Sequence, residues 1–187
     1  MQRSFYNSRL LFSTRSKHLS HDSSETLIQA FVSSWLDYCN SLLCGLPQVQ
    51  IDKIQRAQNA AARLIFRQPK FGHITPVLSQ LHWLPIKYRI EFEILLMTFK
   101  AIHGMAPDYI CKLISGRKST GYSLRSSKKV MLEVQSSKIL PTLGGRAFCY
   151  VAPKLWNNLP SETCNLKSLS NFKCHMKTYL LKQTFNL

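Results

Sequence analysis

Acidic residues are what this chain has least of. Its 187 residues include 9 Asp and Glu against 25 Lys and Arg, for a formal charge of +16. The aspartates are Asp22, Asp37, Asp52 and Asp108, each isolated from the others. Without paired carboxylates the sequence offers no site for the two metal ions of polymerase or nuclease work. A glycine-rich phosphate loop is also missing, as is a serine in a nucleophile elbow. No apolar run is long enough to cross a bilayer, so we expect no membrane partner. The six cysteines, Cys39, Cys44, Cys111, Cys149, Cys164 and Cys174, follow no secretory framework. No signal peptide precedes them, so reduced thiols in an intracellular protein are expected.

Helical signals are abundant. The stretch Leu81 to Gly104 is the one around which the others arrange. Pro85 suits a first helical position and Gly104 the left-handed cap beyond the last turn. Ile86, Ile90, Ile94, Met97 and Ala101 line one face, and Tyr88, Phe92, Leu95, Phe99 and Ile102 a second. A helix apolar over most of its circumference belongs in a core. Trp83, Ile90, Ile94, Phe99 and Trp156 are therefore expected in or near the interior.

A first helix is expected from an acidic capping box, Asp22-Ser23-Ser24-Glu25, running through Leu27, Ile28, Phe31, Val32, Trp35, Leu36, Tyr38 and Cys39 to about Leu43. Gly45 stops it and Pro47 opens the next, roughly Gln48 to Phe66. That second helix divides in two. Ile51, Ile54, Ala57, Gln58, Ala61, Leu64 and Ile65 share one side, and Lys53, Arg56, Ala60, Arg63 and Arg67 the other. No acid falls between Lys53 and Lys87. Steps of three, four and seven residues place the cations within about a quarter-turn over roughly 20 Å of axis. Such a row matches a phosphate backbone, whereas an ordinary solvated face would mix signs. Thr75-Pro76 caps a short helix reaching Leu81, and Pro107-Asp108 begins another, with Tyr109, Ile110, Leu113 and Ile114 inward, ending at Gly116.

The ends differ in character. Residues 1–21 carry four basic residues, several serines and no acid before Asp22, and read as a basic, disordered arm. Their composition is loosely that of a mitochondrial presequence, but no clean amphipathic stripe accompanies it. Residues 117–145 form a basic extended segment rich in Ser, Gly and Thr, with Arg125, Lys128 and Lys129 near its middle and Arg146 just beyond. Val130 to Val134 reads as a short strand with Tyr122 to Arg125 as a possible partner. Residues 146–187 form a C-terminal helical extension, with helices from Arg146 to Asn157 and Ser168 to about Lys182. The fold class is thus mainly α: a multi-helix domain over 22–116, plus a small extended or β-ribbon segment near the C-terminal third.

The side chains with chemical potential are scattered. Cys39-x4-Cys44 with Cys164 and Cys174-His175 has the wrong spacing for a zinc knuckle or finger, so no metal or other cofactor is expected. Nothing local singles out Cys39 or Cys111 as a nucleophile. His73, His82 and His103 lie at helix boundaries, where a structural hydrogen bond is the default reading.

Several segments, in order, carry a resemblance. They are Phe31-Val32-Ser33-Ser34-Trp35-Leu36-Asp37-Tyr38-Cys39-Asn40-Ser41-Leu42-Leu43 with Gly45-Leu46-Pro47, then Ile54-Gln55-Arg56-Ala57-Gln58-Asn59-Ala60-Ala61-Ala62-Arg63-Leu64. His73-Ile74-Thr75-Pro76-Val77-Leu78, Leu81-His82-Trp83-Leu84-Pro85 and Leu124-Arg125-Ser126-Ser127 follow. Arg146-Ala147-Phe148 and Ala152-Pro153-Lys154-Leu155-Trp156-Asn157-Asn158-Leu159-Pro160 complete the set. Together they resemble the C-terminal part of reverse transcriptases of non-LTR (LINE-type, jockey-like) retrotransposons. The likeness covers about Lys17 to the C-terminus, with departures at Trp35, Cys44 and Gln135. It implies a thumb-like helical region over 22–116 that follows a catalytic palm, and a C-terminal extension after it.

The palm's aromatic-x-Asp-Asp turn has no counterpart here, nor has the endonuclease. The expectation is a non-catalytic fragment that binds RNA or DNA backbone, with a palm domain as a possible partner in the full-length parent. Nucleus or cytoplasm is the expected location. The candidate nucleic-acid contacts are Lys53, Arg56, Arg63, Arg67, Arg125, Lys128, Lys129 and Arg146. A helical protein-interaction module, or an inert relic, is the alternative.

Overall fold

The computed structural model describes residues 20–69, 71–117, 130–134 and 144–185. Helices dominate them: α1 (His21–Ile28), α2 (Ser34–Asp37), α3 (Gln48–Ile65), α4 (Thr75–Gln80), α5 (Ile86–Ile102), α6 (Asp108–Cys111), α7 (Phe148–Asn157), α8 (Ser161–Cys164) and α9 (Leu169–Phe185). No described helix is long and apolar enough to cross a membrane. Two compact units share the described residues. The first holds those up to Asn40 and Leu46–Lys87, and the second Ser41–Gly45 and those from Tyr88 onward. The division passes between Lys87 and Tyr88, inside α5 and inside the stretch read from sequence as one helical domain.

In the first unit, α1 opens two residues earlier than the capping box implies. Ser20 is the N-cap, its Oγ accepting from Ser23 N at 3.2 Å, while Asp22 sits in the first turn. The helix does not reach Leu43 either. A π-helical turn, Gln29–Ser33, joins α1 to α2, with Ser34 N donating to Gln29 O, and α2 ends at Asp37. Bonding five residues back leaves more residues in the turn, so later side chains lag behind an α-helical register. Ile28 and Leu36 accordingly share the buried side, whereas Phe31, Trp35 and Tyr38 are exposed. Tyr38 is extended, ψ 114°, and Cys39 adopts a left-handed backbone, φ +53°, so the helix is broken before Gly45 is reached.

Three helices close with the same pair of hydrogen bonds. After α3, Arg67 N donates to Leu64 O and Gln68 N to Arg63 O; after α4, His82 N donates to Ser79 O and Trp83 N to Leu78 O. After α5, Gly104 N donates to Ala101 O and Met105 N to Lys100 O. The residue taking the left-handed conformation is Arg67, His82 and Gly104 in turn.

The core follows expectation in its main members. Trp83, Ile90, Ile94, Phe99 and Trp156 are all buried. In the second unit Phe99 stacks on Phe172 at 4.3 Å between ring centroids, and Phe172 on Trp156 at 5.9 Å. Phe172, Met176 and Leu180 recur every four residues on α9, so one face of that helix is buried. The Pro107 helix is shorter than expected, ending at Cys111, and Tyr109 faces solvent.

Gly116 is not a helix terminator. It forms an antiparallel bridge with Leu132, flanked by Arg117 N to Met131 O and Glu133 N to Ser115 O, both 2.9 Å. The other edge of the Val130–Val134 segment is held by side chains. Asn157 Nδ2 donates to Leu132 O and its Oδ1 accepts from Leu132 N, while Trp156 Nε1 donates to Val130 O. The strand expected over Val130 to Val134 is thus reduced to a single bridge, with Ser115–Arg117 across from it; Tyr122 to Arg125 lies outside the described residues.

Candidate nucleic-acid interface

The α3 helix starts where Pro47, at the N-cap with ψ 142°, leaves its carbonyl to Gln50 N and Ile51 N. It buries Ile51, Gln58, Ala61, Ala62 and Ile65 on one side. Gln58 is fully buried yet polar, so its amide needs partners. Its Nε2 donates to Leu84 O at 2.8 Å and its Oε1 accepts from Gln55 Nε2 at 2.9 Å. Gln55 Oε1 in turn accepts from Ile86 N, one of the orphan donors at the start of α5, at 2.9 Å. Asn59 Oδ1 takes the second Gln55 contact at 2.8 Å. This amide network fixes the rotation of α3 about its own axis, because Gln55 and Gln58 reach their partners in one orientation only. Sequence reading had placed Gln58 among the apolar residues and missed the network. Its three-residue spacing from Gln55 was the available signal.

That orientation turns the opposite face outward. Lys53 and Arg56 are exposed on α3, and Arg67 is exposed just past its end. Asp52, the acid on this helix, accepts from Gln48 Nε2 at 2.8 Å. Arg67 is off the helix, whose last residue is Ile65, so the row expected on one helical face is three residues long and its fourth member rides on the cap. A non-glycine residue in that conformation is about 1–2 kcal/mol less favourable than glycine there. Arg63 differs from the rest. It is half-buried, donates through Nη2 to Gly72 O at 3.2 Å, and has a buried Nε without a hydrogen-bond partner. Its first task is to fasten the loop after α3.

The remaining candidates do not join this group. Arg146 is in the second unit, exposed, with its side chain laid against the Gly45 turn: a Cβ at Gly45 would meet Arg146 Cγ at 2.6 Å. Arg125, Lys128 and Lys129 lie outside the described residues.

All six cysteines are free thiols, and among the described residues no cluster of His, Cys, Asp and Glu is placed to hold a metal. Burial, with the Glu91 carboxylate adding to it and Arg146 opposing, pushes the Cys44 thiol above its ordinary range, the reverse of what a nucleophile needs. Cys111 gives its S–H to Ala106 O at 3.3 Å. His103 bonds Phe99 O through Nδ1 at 2.9 Å and stacks on the Phe99 ring, and His82 serves as a helix cap. An open pocket of about 440 Å³ is lined by Arg117, Leu132, Glu133, Val134 and Asn157. Leu132 and Asn157 are occupied there in holding the extended segment. Comparison with family models, curated proteins and solved structures found no match.

Proposed function

We propose that this chain is a non-catalytic C-terminal fragment of a retrotransposon reverse transcriptase-like protein, and that it binds the backbone of RNA or DNA along α3. The observation that carries the reading is exposed Lys53 and Arg56 on α3, with exposed Arg67 on its C-terminal cap, while the other face of the helix is locked by the Gln55–Gln58 amides. Exposed cations on a stretch that carries no acid from Lys53 to Arg89 favour a polyanion. Contacts of this kind read phosphates and not bases, so affinity is nearly independent of sequence and falls steeply with salt. A palm domain of the parent enzyme is the second partner in this reading.

Titration of single-stranded RNA, RNA–DNA hybrid and duplex DNA at several salt concentrations tests it. Combining Lys53→Ala, Arg56→Ala and Arg67→Gly should weaken all three and flatten the slope of log K against log salt by about two to three. Arg63 is left out because its loss would release the Gly72 loop. An unchanged slope with folding intact sinks the proposal. With primer–template, Mg²⁺ and nucleotides the protein should extend nothing, and extension lost on mutating Asp37 or Asp108 would contradict that.

A helical protein-interaction module is the second reading. What favours it is the set of exposed apolar side chains in this region, with Phe31 63 % and Tyr38 80 % accessible.

A further inference from the structure

Phe71 leaves 92 % of its surface in solvent, in the loop between α3 and α4. The described residues before and after it are held. Arg67 N and Gln68 N close the end of α3, Gly72 N donates to Pro69 O at 3.1 Å, and Arg63 Nη2 donates to Gly72 O at 3.2 Å. Phe71 is one peptide unit, about 3.8 Å between Cα atoms, from the residue that Arg63 fastens. The loop is thus tied back to α3, with an accessible aromatic ring beside the cationic end of that helix. Arg67 strengthens the case, because a charged side chain occupies the left-handed cap that glycine fills after α5.

Accessible aromatic rings beside fixed cations are how proteins hold unpaired strands: phosphates lie along the charges and a base stacks on the ring. A duplex keeps its base faces covered by their neighbours, so a protruding ring adds nothing to its binding. We infer that Phe71 is a stacking platform for an unpaired base, and that the ligand of the α3 surface is single-stranded nucleic acid, with ribose or deoxyribose alike. This rests on the nucleic-acid reading above and specifies its substrate class. Every base has a π face, so the preference is for strandedness and not for sequence.

The test uses the full chain and fluorescently labelled oligonucleotides of about 12 residues, a length suited to one stacking site with its flanking phosphates. The probes are single-stranded RNA, single-stranded DNA of the same sequence, and the corresponding duplex. Phe71→Ala should weaken both single strands about tenfold or more, leaving duplex affinity and the salt slope unchanged. Phe71→Trp should bind at least as tightly as the native protein. Phe71→Leu, which keeps apolar surface but loses the π face, should behave like Phe71→Ala. The inference is overturned if Phe71→Ala leaves single-strand affinity unchanged, if duplex affinity falls equally, or if Phe71→Leu restores binding, which would mark an apolar contact suited to a protein. In those cases the salt-dependent binding of the native chain, and the backbone reading with it, survives. A native chain that binds none of the probes overturns both.

Discussion

Helices α3 and α5 are nearly equal in length, 18 and 17 residues, and serve opposite ends. The first divides lengthwise into a buried side and a cationic side, while α5 buries more of its side chains than any other described helix. On α5 few positions are free to meet a ligand. On α3 the buried side does the structural work, through two amides as well as through Ile51, Ala61, Ala62 and Ile65, so its outer side can carry charge at little expense in stability. A functional surface on a small helical protein needs such a division, because a solvated face can vary without emptying the core.

The contrast can be broken most severely in α5. Ile94→Ala should lower stability by about 2–5 kcal/mol and Phe99→Ala by about 3–5 kcal/mol, measured by denaturant unfolding. A loss below about 1 kcal/mol at both positions would mean that α5 is not the core element. Gln58→Leu on α3 should lower stability by about 1–3 kcal/mol, because Leu84 O loses its Gln58 donor and Gln55 Nε2 loses one of its two acceptors. A neutral result there would show that water or a neighbour replaces the lost bonds. The two helix ends sharpen the comparison further. Gly104→Ala should destabilise by about 1 kcal/mol from backbone conformation alone, since its added Cβ meets nothing within 4 Å. Arg67→Gly should stabilise by up to about 1 kcal/mol while weakening nucleic-acid binding. Equal thermal shifts of one sign at both positions would dismiss the strain argument.

The smallest effect concerns Cys44. Its thiol pKa is raised on folding, so the native state holds the proton more tightly than the unfolded chain does. That contribution is complete below the ordinary thiol range and is lost as pH rises through the raised value. Stability between neutral and alkaline pH should therefore fall slightly more steeply in the native sequence than in Cys44→Ser. Cys44 should also react with a thiol reagent more slowly than exposed Cys174, and a reversed order would contradict its burial.

Much of the helical frame was legible because its signals are local. Pro47, Pro85 and Gly104 mark helix limits by backbone chemistry that depends on no distant residue. The apolar spacing through Ile90, Ile94 and Phe99, and through Phe172, Met176 and Leu180, marks buried faces in the same way. The first helix was misjudged for a reason also found in the geometry. Its apolar residues fit an α-helical stripe, and only the π turn at Gln29–Ser33 rotates Trp35 away and brings Leu36 onto the side of Ile28. The Ser20 cap was missed because the Asp22-Ser23-Ser24-Glu25 run satisfies the same rule two residues later.

The candidate surface divides in a similar way. Charge, and the spacing of Lys53 and Arg56 on an amphipathic helix, follow from the order of residues, since periodicity alone separates the two sides of α3. What Arg63 and Arg67 do does not follow, because a guanidinium at helical spacing reads the same whether it meets solvent, a carbonyl or a cap. The structure sends Arg63 to Gly72 O, ends α3 with Arg67 in a left-handed cap, and leaves Phe71 exposed. It also chose Gln58, indistinguishable in pattern from its apolar neighbours, to hold Leu84 O. Local propensity determined where helices begin, end and face the core; the pairing of polar groups across the chain needed the fold, because a hydrogen bond depends on where its distant partner is placed.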